Sequence, residues 1–203
     1  MRAISIRKFG ADQIYVRTSP YIMPSFSIVP GPPTAKFEED DLRGFRFWVP
    51  IDDTSTWLYI LNMRKQPFDD SERKSLRSWV ESDYRRKRNL HNDYLIDREL
   101  QRTTLYSGIR SVNAAEQDGC ATESMGLIYD RSKEHLGYSD KTIIALRKML
   151  LNAVNDLQGG KEPPHIVTDL KQNNFSRLRS LKGILPADAD WRRIMEALGP
   201  NDG

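Results

Sequence analysis

Two stretches, GFRFWVPI (44–51) and TWLYILNM (56–63), alternate large apolar residues with other side chains. A period of two marks a half-buried strand. Asp52-Asp53-Thr54 lies between them and carries turn chemistry, so the pair is predicted to form a hairpin. Residues 3–7 and 13–18 read as two more short strands, with Gly10, Ala11 and Asp12 as the turn. Prolines at 20, 24, 30, 32 and 33 then argue against a central strand or a helix. They predict an extended stretch that turns at Gly31.

Further along, the apolar period lengthens to that of a helix. Asp70-Ser71 is placed to cap a helix reaching about residue 87, with Leu76, Trp79, Val80 and Tyr84 on one face. The basic run 85–88 would close it, where cations complement the helix dipole. Residues 91–109 have no clean period and predict an ordered loop. Residues 113–125 read as a short helix stopped by Gly126. Ser139 is placed to cap a strong helix carrying Ile143, Ile144, Arg147, Leu150, Leu151 and Val154, which ends at Gly159-Gly160. KEPP interrupts the chain at 161–164, and Trp191, Ile194, Met195 and Leu198 fall at helical spacing in the tail. Strands first and helices last predict an α+β fold, an antiparallel sheet with packed helices. The expected division is a main body over 1–164 and a helical extension over 165–203.

Composition narrows the classes. With 203 residues, the chain suits one domain, or one with an extension. A net charge of +3 from 31 basic and 28 acidic residues demands neither a nucleic-acid nor a membrane partner. The single cysteine, Cys120, excludes an intrachain disulfide and a multi-cysteine metal site. The N-terminal residues lack the apolar core of a signal peptide, and no window reaches the roughly 18 apolar residues of a spanning helix. These features fit a reducing, cytoplasmic setting.

Candidate chemistry is sparse. On a helix, Asp118 shares a face with Ala121, Thr122 and Met125, a mostly apolar surface. An acid there either points to water or meets a cation or metal. His91, His135 and His165 form no close pair of metal-ligand spacing. Asp52-Asp53 could be an acid–base pair, but a pair between two strands more often makes the turn. The run at 85–88 lacks the interleaved aromatics of a single-strand groove and reads as a solvated helix end. No phosphate-binding glycine loop or nucleophile elbow is present.

Three longer stretches point further. FRFWVPIDDTSTWLYIL, NDYLIDRELQRTTLYSGI and EQDGCATESMGLIYDRSKEHLGYSDKTIIALRKMLLNA occur in that order. Together they resemble the oxygenase component of Rieske-type aromatic ring oxygenases. The similar branch is that of phthalate 4,5-dioxygenase, which includes O-demethylases of lignin-derived aromatics. The resemblance runs from about residue 4 to about residue 164. Ser55 stands where the family often has His, and Gly119 and Cys120 depart from its commoner residues after the Asp.

The resemblance implies the C-terminal part of a helix-grip (Bet v1/START-like) catalytic domain. In the family that domain holds a mononuclear Fe(II) on two His and one carboxylate, leaving positions for O₂. Gln117-Asp118 match the motif carrying the carboxylate, so Asp118 is implied as an iron ligand and catalytic residue. Asn92, Asp93 and Met125 match positions near the substrate pocket. The family's [2Fe–2S] Rieske cluster needs paired Cys and His ligands, which are expected on a missing N-terminal part, as is the helix with both iron-binding His. A truncated or split gene product, or a piece read from an internal Met, is the expectation, with this chain inactive alone. Half a sheet would also expose an edge and an opened core. The complete enzyme would use O₂ and electrons from a ferredoxin or flavin reductase to hydroxylate or O-demethylate an aromatic acid, within a homo-oligomer such as a trimer. A module of another class remains open: an iron-free helix-grip domain that binds an aromatic or apolar ligand.

Overall fold

The computed structural model describes all residues except 32, 36–37, 40–42, 111–113, 164–165, 173–178 and 199–203. It divides into two compact units, one of residues 1–65 with 135–203 and the other of residues 66–134.

The first unit is built on antiparallel strands β1 (Arg2–Lys8), β2 (Gln13–Ile22), β3 (Phe26–Pro30), β4 (Glu38–Glu39), β5 (Arg43–Pro50), β6 (Thr56–Met63) and β7 (Leu181–Pro186). Their order is β4-β7-β2-β3-β5-β6, with β1 also paired to β2. Helices α4 (Lys141–Gln158) and α5 (Trp191–Leu198) complete the unit, and the fold is α+β as expected.

The β5–β6 hairpin matches the predicted one, with eight consecutive partners from Arg43↔Met63 to Pro50↔Thr56. Its turn is made by Asp52, whose Oδ1 accepts from Thr54 N at 2.9 Å and Thr54 Oγ1 at 3.0 Å. Those bonds, the backbone one first, hold the Asp52 carboxyl below its usual range. This carboxylate serves the turn.

The proline-rich stretch departs from expectation, since β3 is an interior strand between β2 and β5. Two of its prolines lie outside the interior of β3, while Pro20 stands within β2 opposite Arg2. Pro24 lies in the turn before β3 and Pro30 is its last residue. The tail also departs from a purely helical extension, because β7 pairs with β2 from Gln13↔Pro186 to Arg17↔Lys182. Buried Thr18 pins the start of that strand: its Oγ1 accepts from Leu181 N at 2.9 Å, and its carbonyl accepts from Ser180 Oγ at 3.1 Å. Helix α5 forms as its spacing predicts and places Met195 against Val16 and Leu185, with Trp191 and Ile194 beside them. Helix α4 runs to Gly159 as expected, but Asp140 precedes it, not Ser139, and no side chain caps it.

The second unit holds α1 (Asp70–Arg77), α2 (Arg98–Thr103) and α3 (Ala114–Glu123). Helix α1 is half the predicted length. A capping box of Asp69 and Glu72 starts it, and it ends at Ser78. Beyond it the backbone doubles back, with Val80 bridged to Arg86 and Tyr84 at φ 65°. Leu76, Trp79, Val80 and Tyr84 therefore do not form one helical face, and the run 85–88 does not close a helix. Residues 91–109, expected as a loop, contain a 3-10 turn at Leu90–Leu95 and helix α2. Among the described residues of this unit, Tyr94, Leu100 and Ile109 are the buried apolar side chains. Among the described residues, no helix is long and apolar enough to cross a membrane.

Candidate functional site

Helix α3 carries Asp118 and is the natural starting point. Residues 116, 119 and 123 fall on one side of it by helical spacing, and that side faces the loop after α1. Glu116 is buried, and its Oε1 meets Arg88 Nε at 3.2 Å. The same guanidinium donates from Nη1 to the carbonyls of Tyr94 at 3.0 Å and Leu95 at 2.9 Å. Its Nη2 donates to the carbonyl of Arg110 at 3.1 Å. One planar fork thus serves a carboxylate and three carbonyls, which a lysine could not do. Two turns further along α3, Arg86 donates to the Glu123 carboxylate. Gly119 lies between the two acids because a Cβ there would overlap the Arg86 guanidinium. Gly119→Ala is expected to displace that ion pair and lower unfolding free energy by about 1–3 kcal/mol, measured by urea denaturation.

The segment held by Arg88 is unusual. Asp93, Tyr94 and Leu95 all have positive φ, at 47°, 53° and 48°, in the left-handed region that costs an L residue energy. Two asparagines on its N-terminal side fix the approach to it. Asn92 Oδ1 accepts from Asn89 N at 3.0 Å and its Nδ2 donates to the Lys87 carbonyl at 2.7 Å. Asn89 Oδ1 accepts from His91 N at 3.0 Å. Asp93 is paired with Arg98 at 2.7 Å at the surface.

Tyr94 is 3% exposed. Its hydroxyl makes no hydrogen bond of ordinary geometry. Burial, then the nearby Glu123 charge, pushes the phenol from 10.0 to about 12. The folded chain therefore holds this proton more tightly than the unfolded one. The stability from this group is complete below pH 10 and is lost as pH rises through about 12. Urea midpoints taken across that window should fall, and Tyr94→Phe should flatten the fall. Half-buried Cys120 has its thiol pKa raised by burial first and by Asp93 and Glu123 next.

Asp118 lies on the opposite side of α3. Of the two readings open from the sequence, water or a cation, the structure shows the first: the Asp118 side chain is exposed, as are Ala121, Thr122 and Met125. The physical reason is that Glu116, Gly119 and Glu123 take the inward face. The Asp118 carboxylate makes no ion pair or hydrogen bond among the described residues, whereas both glutamates of α3 are engaged. A cleft of 260 Å³ lies beside Trp79, Lys87, Arg88 and Arg110, and none of Asn92, Asp93, Asp118 or Met125 lines it. His91 and His135 are exposed and belong to different units, and His165 lies outside the described residues. Among the described residues no three His, Cys, Asp or Glu side chains gather as a metal site. This chain alone therefore does not fit a mononuclear iron, which needs a set of ligands and not one carboxylate. Arg86 and Arg88 are both engaged in ion pairs with the glutamates of α3. Sequence reasoning missed both, though two acids seven residues apart on one helix downstream of a basic run were a usable signal.

Comparison with known proteins gives the wider frame. The chain is 32% identical over 190 residues to the phthalate 4,5-dioxygenase oxygenase subunit of Pseudomonas putida, covering 90% of this chain and 40% of that protein. It is 27% identical over 209 residues to the 3-chlorobenzoate-3,4-dioxygenase oxygenase subunit of Comamonas testosteroni, covering 91% of this chain and 45% of that one. The chain thus spans less than half the length of these curated relatives. The resemblance drawn from the motifs holds, since both relatives are oxygenase subunits of aromatic dioxygenases. The family model described as "LigXa C-terminal domain like" matches residues 1–199, and the chain belongs to that family.

Proposed function

We propose that this chain is the C-terminal part of the catalytic domain of a Rieske-type oxygenase that hydroxylates or O-demethylates an aromatic acid. The observation that carries the reading is alignment of nine-tenths of the chain with less than half of two aromatic dioxygenase oxygenase subunits. Asp118 would be the carboxylate ligand of the mononuclear iron, whose remaining ligands lie outside this chain, as would the [2Fe–2S] cluster. Iron, when bound, would supply the site for O₂. What this chain contributes is a carboxylate held outward on α3, with the inner side of that helix fixed by Arg86 and Arg88. Asn92 shapes the adjoining turn through its backbone bonds, and Met125 lies half-exposed just past α3. The complete enzyme would act in the cytoplasm as a homo-oligomer and draw electrons from a reductase.

Oxygen uptake tests this reading. The native protein, supplied with a reductase system and a panel of phthalate-like and methoxylated aromatic acids, should consume O₂ and release a hydroxylated or demethylated product. The other reading, an iron-free module holding an aromatic ligand, predicts stoichiometric binding of such an acid with no O₂ consumed.

A further inference from the structure

We propose that β6 is an interior strand of a larger sheet, and that its next strand comes from the part of the oxygenase polypeptide that this chain does not span. This rests on the reading above that the chain is one part of a longer oxygenase. In the strand order β6 is terminal: it pairs with β5 along its whole length and with no other described strand. Exposed edges are ordinarily blunted by charge, proline, a bulge or shortness. TWLYILNM has no charged residue, no proline and no glycine. Its eight-residue register with β5 is unbroken by a bulge. The contrast lies within the same sheet. Strand β1 carries Arg2, Arg7 and Lys8, and β4, at the far end, is two residues long.

The faces of β6 point the same way. Alternation puts Trp57, Tyr59, Leu61 and Met63 on one face and Leu58 and Ile60 on the other. Tyr59, Leu61 and Met63 are 49%, 49% and 59% exposed, and Leu58 is 43% exposed. A strand with one face in water alternates apolar with polar, whereas apolar residues on both faces mark a strand covered on both. The apolar surface continues into β5, where Val49, Phe47 and Phe45 oppose Trp57, Tyr59 and Leu61. It reaches β3 through Phe26, whose ring centroid is 4.5 Å from that of Phe47. The occupant must offer a free strand edge and apolar side chains. The relatives supply its source, since more than half of each lies beyond the aligned region.

Amide hydrogen exchange on the native protein tests this. At an edge, every second amide of β6 faces away from β5 and should exchange like the turn at Asp53–Ser55. In an interior strand both alternate sets are bonded, and both should exchange about a hundredfold or more slower than that turn. Slow exchange of both sets, unchanged on dilution, is the expected result. One alternate set exchanging at the rate of the turn would overturn the proposal. So would protection that disappears on dilution, which would assign the edge to a second copy of this chain. The readout needs no turnover, so a protein that takes up no O₂ yet protects both sets would lose the catalytic reading and keep the strand pairing.

Discussion

Replacing Asp118 by alanine in the intact oxygenase is expected to remove its iron and lower turnover by on the order of a hundredfold or more, without unfolding it. The Asp118 side chain is exposed and its carboxylate has no partner among the described residues, so its loss removes no side-chain interaction that supports the fold. Surface substitutions of this kind change stability by about 0.5 kcal/mol or less. If the carboxylate is one of a small set of iron ligands, the effect falls on the metal, since even an outer-shell partner is worth about 10–100-fold in metal affinity or activity. Metal analysis beside a urea curve separates the two. Full iron content in a folded Asp118→Ala protein would remove the ligand assignment, whatever the activity.

Arg88→Ala should have the opposite signature. The Arg88 side chain is 19% exposed and that of Glu116 is 7% exposed, so the pair is largely shielded from water. Breaking a buried pair by removing one partner costs about 3–5 kcal/mol. The same substitution takes three backbone carbonyls off their donor and releases the positive-φ run at Asp93–Leu95. A loss of unfolding free energy of that size is expected, read by urea denaturation. Arg88→Lys should recover only part of it, because an ammonium cannot reproduce the planar fork. A change below about 0.5 kcal/mol would show that α3 is held by other contacts. Together the two variants separate the roles on one helix, with the acid that faces outward moving the metal and the cation beneath it moving the fold.

The parts of the fold that were legible in the sequence are those whose information is local. The β5–β6 hairpin follows from alternation over adjacent residues and a turn carboxylate two positions from its partner. Helix α5 follows from apolar spacing within a single element. Strand β3 is obscured by the proline content of its surroundings, although Pro24 falls in the turn before it and Pro30 at its last position. Strand β7 is six residues long and includes Lys182 and Gly183, which weakens its alternation, and what defines it is pairing with residues far away in the chain. The clamp on α3 was hidden for the same reason. Arg86 and Glu123 are 37 positions apart, so a run of basic residues read as solvated when two of its members were bound. Asp118 was singled out by the resemblance and not by its surroundings, and the direction it faces became clear only once its neighbours on α3 were seen to be engaged.

Every role proposed for Asp118 and for the edge of β6 requires this chain to be one part of a larger oxygenase. The intact mass of the native polypeptide, taken from the cells that make it, tests that most directly. A mass well above 23.5 kDa is expected, with Cys and His cluster ligands in the additional length. A native polypeptide of 23.5 kDa with no co-purifying partner that carries those ligands would contradict it.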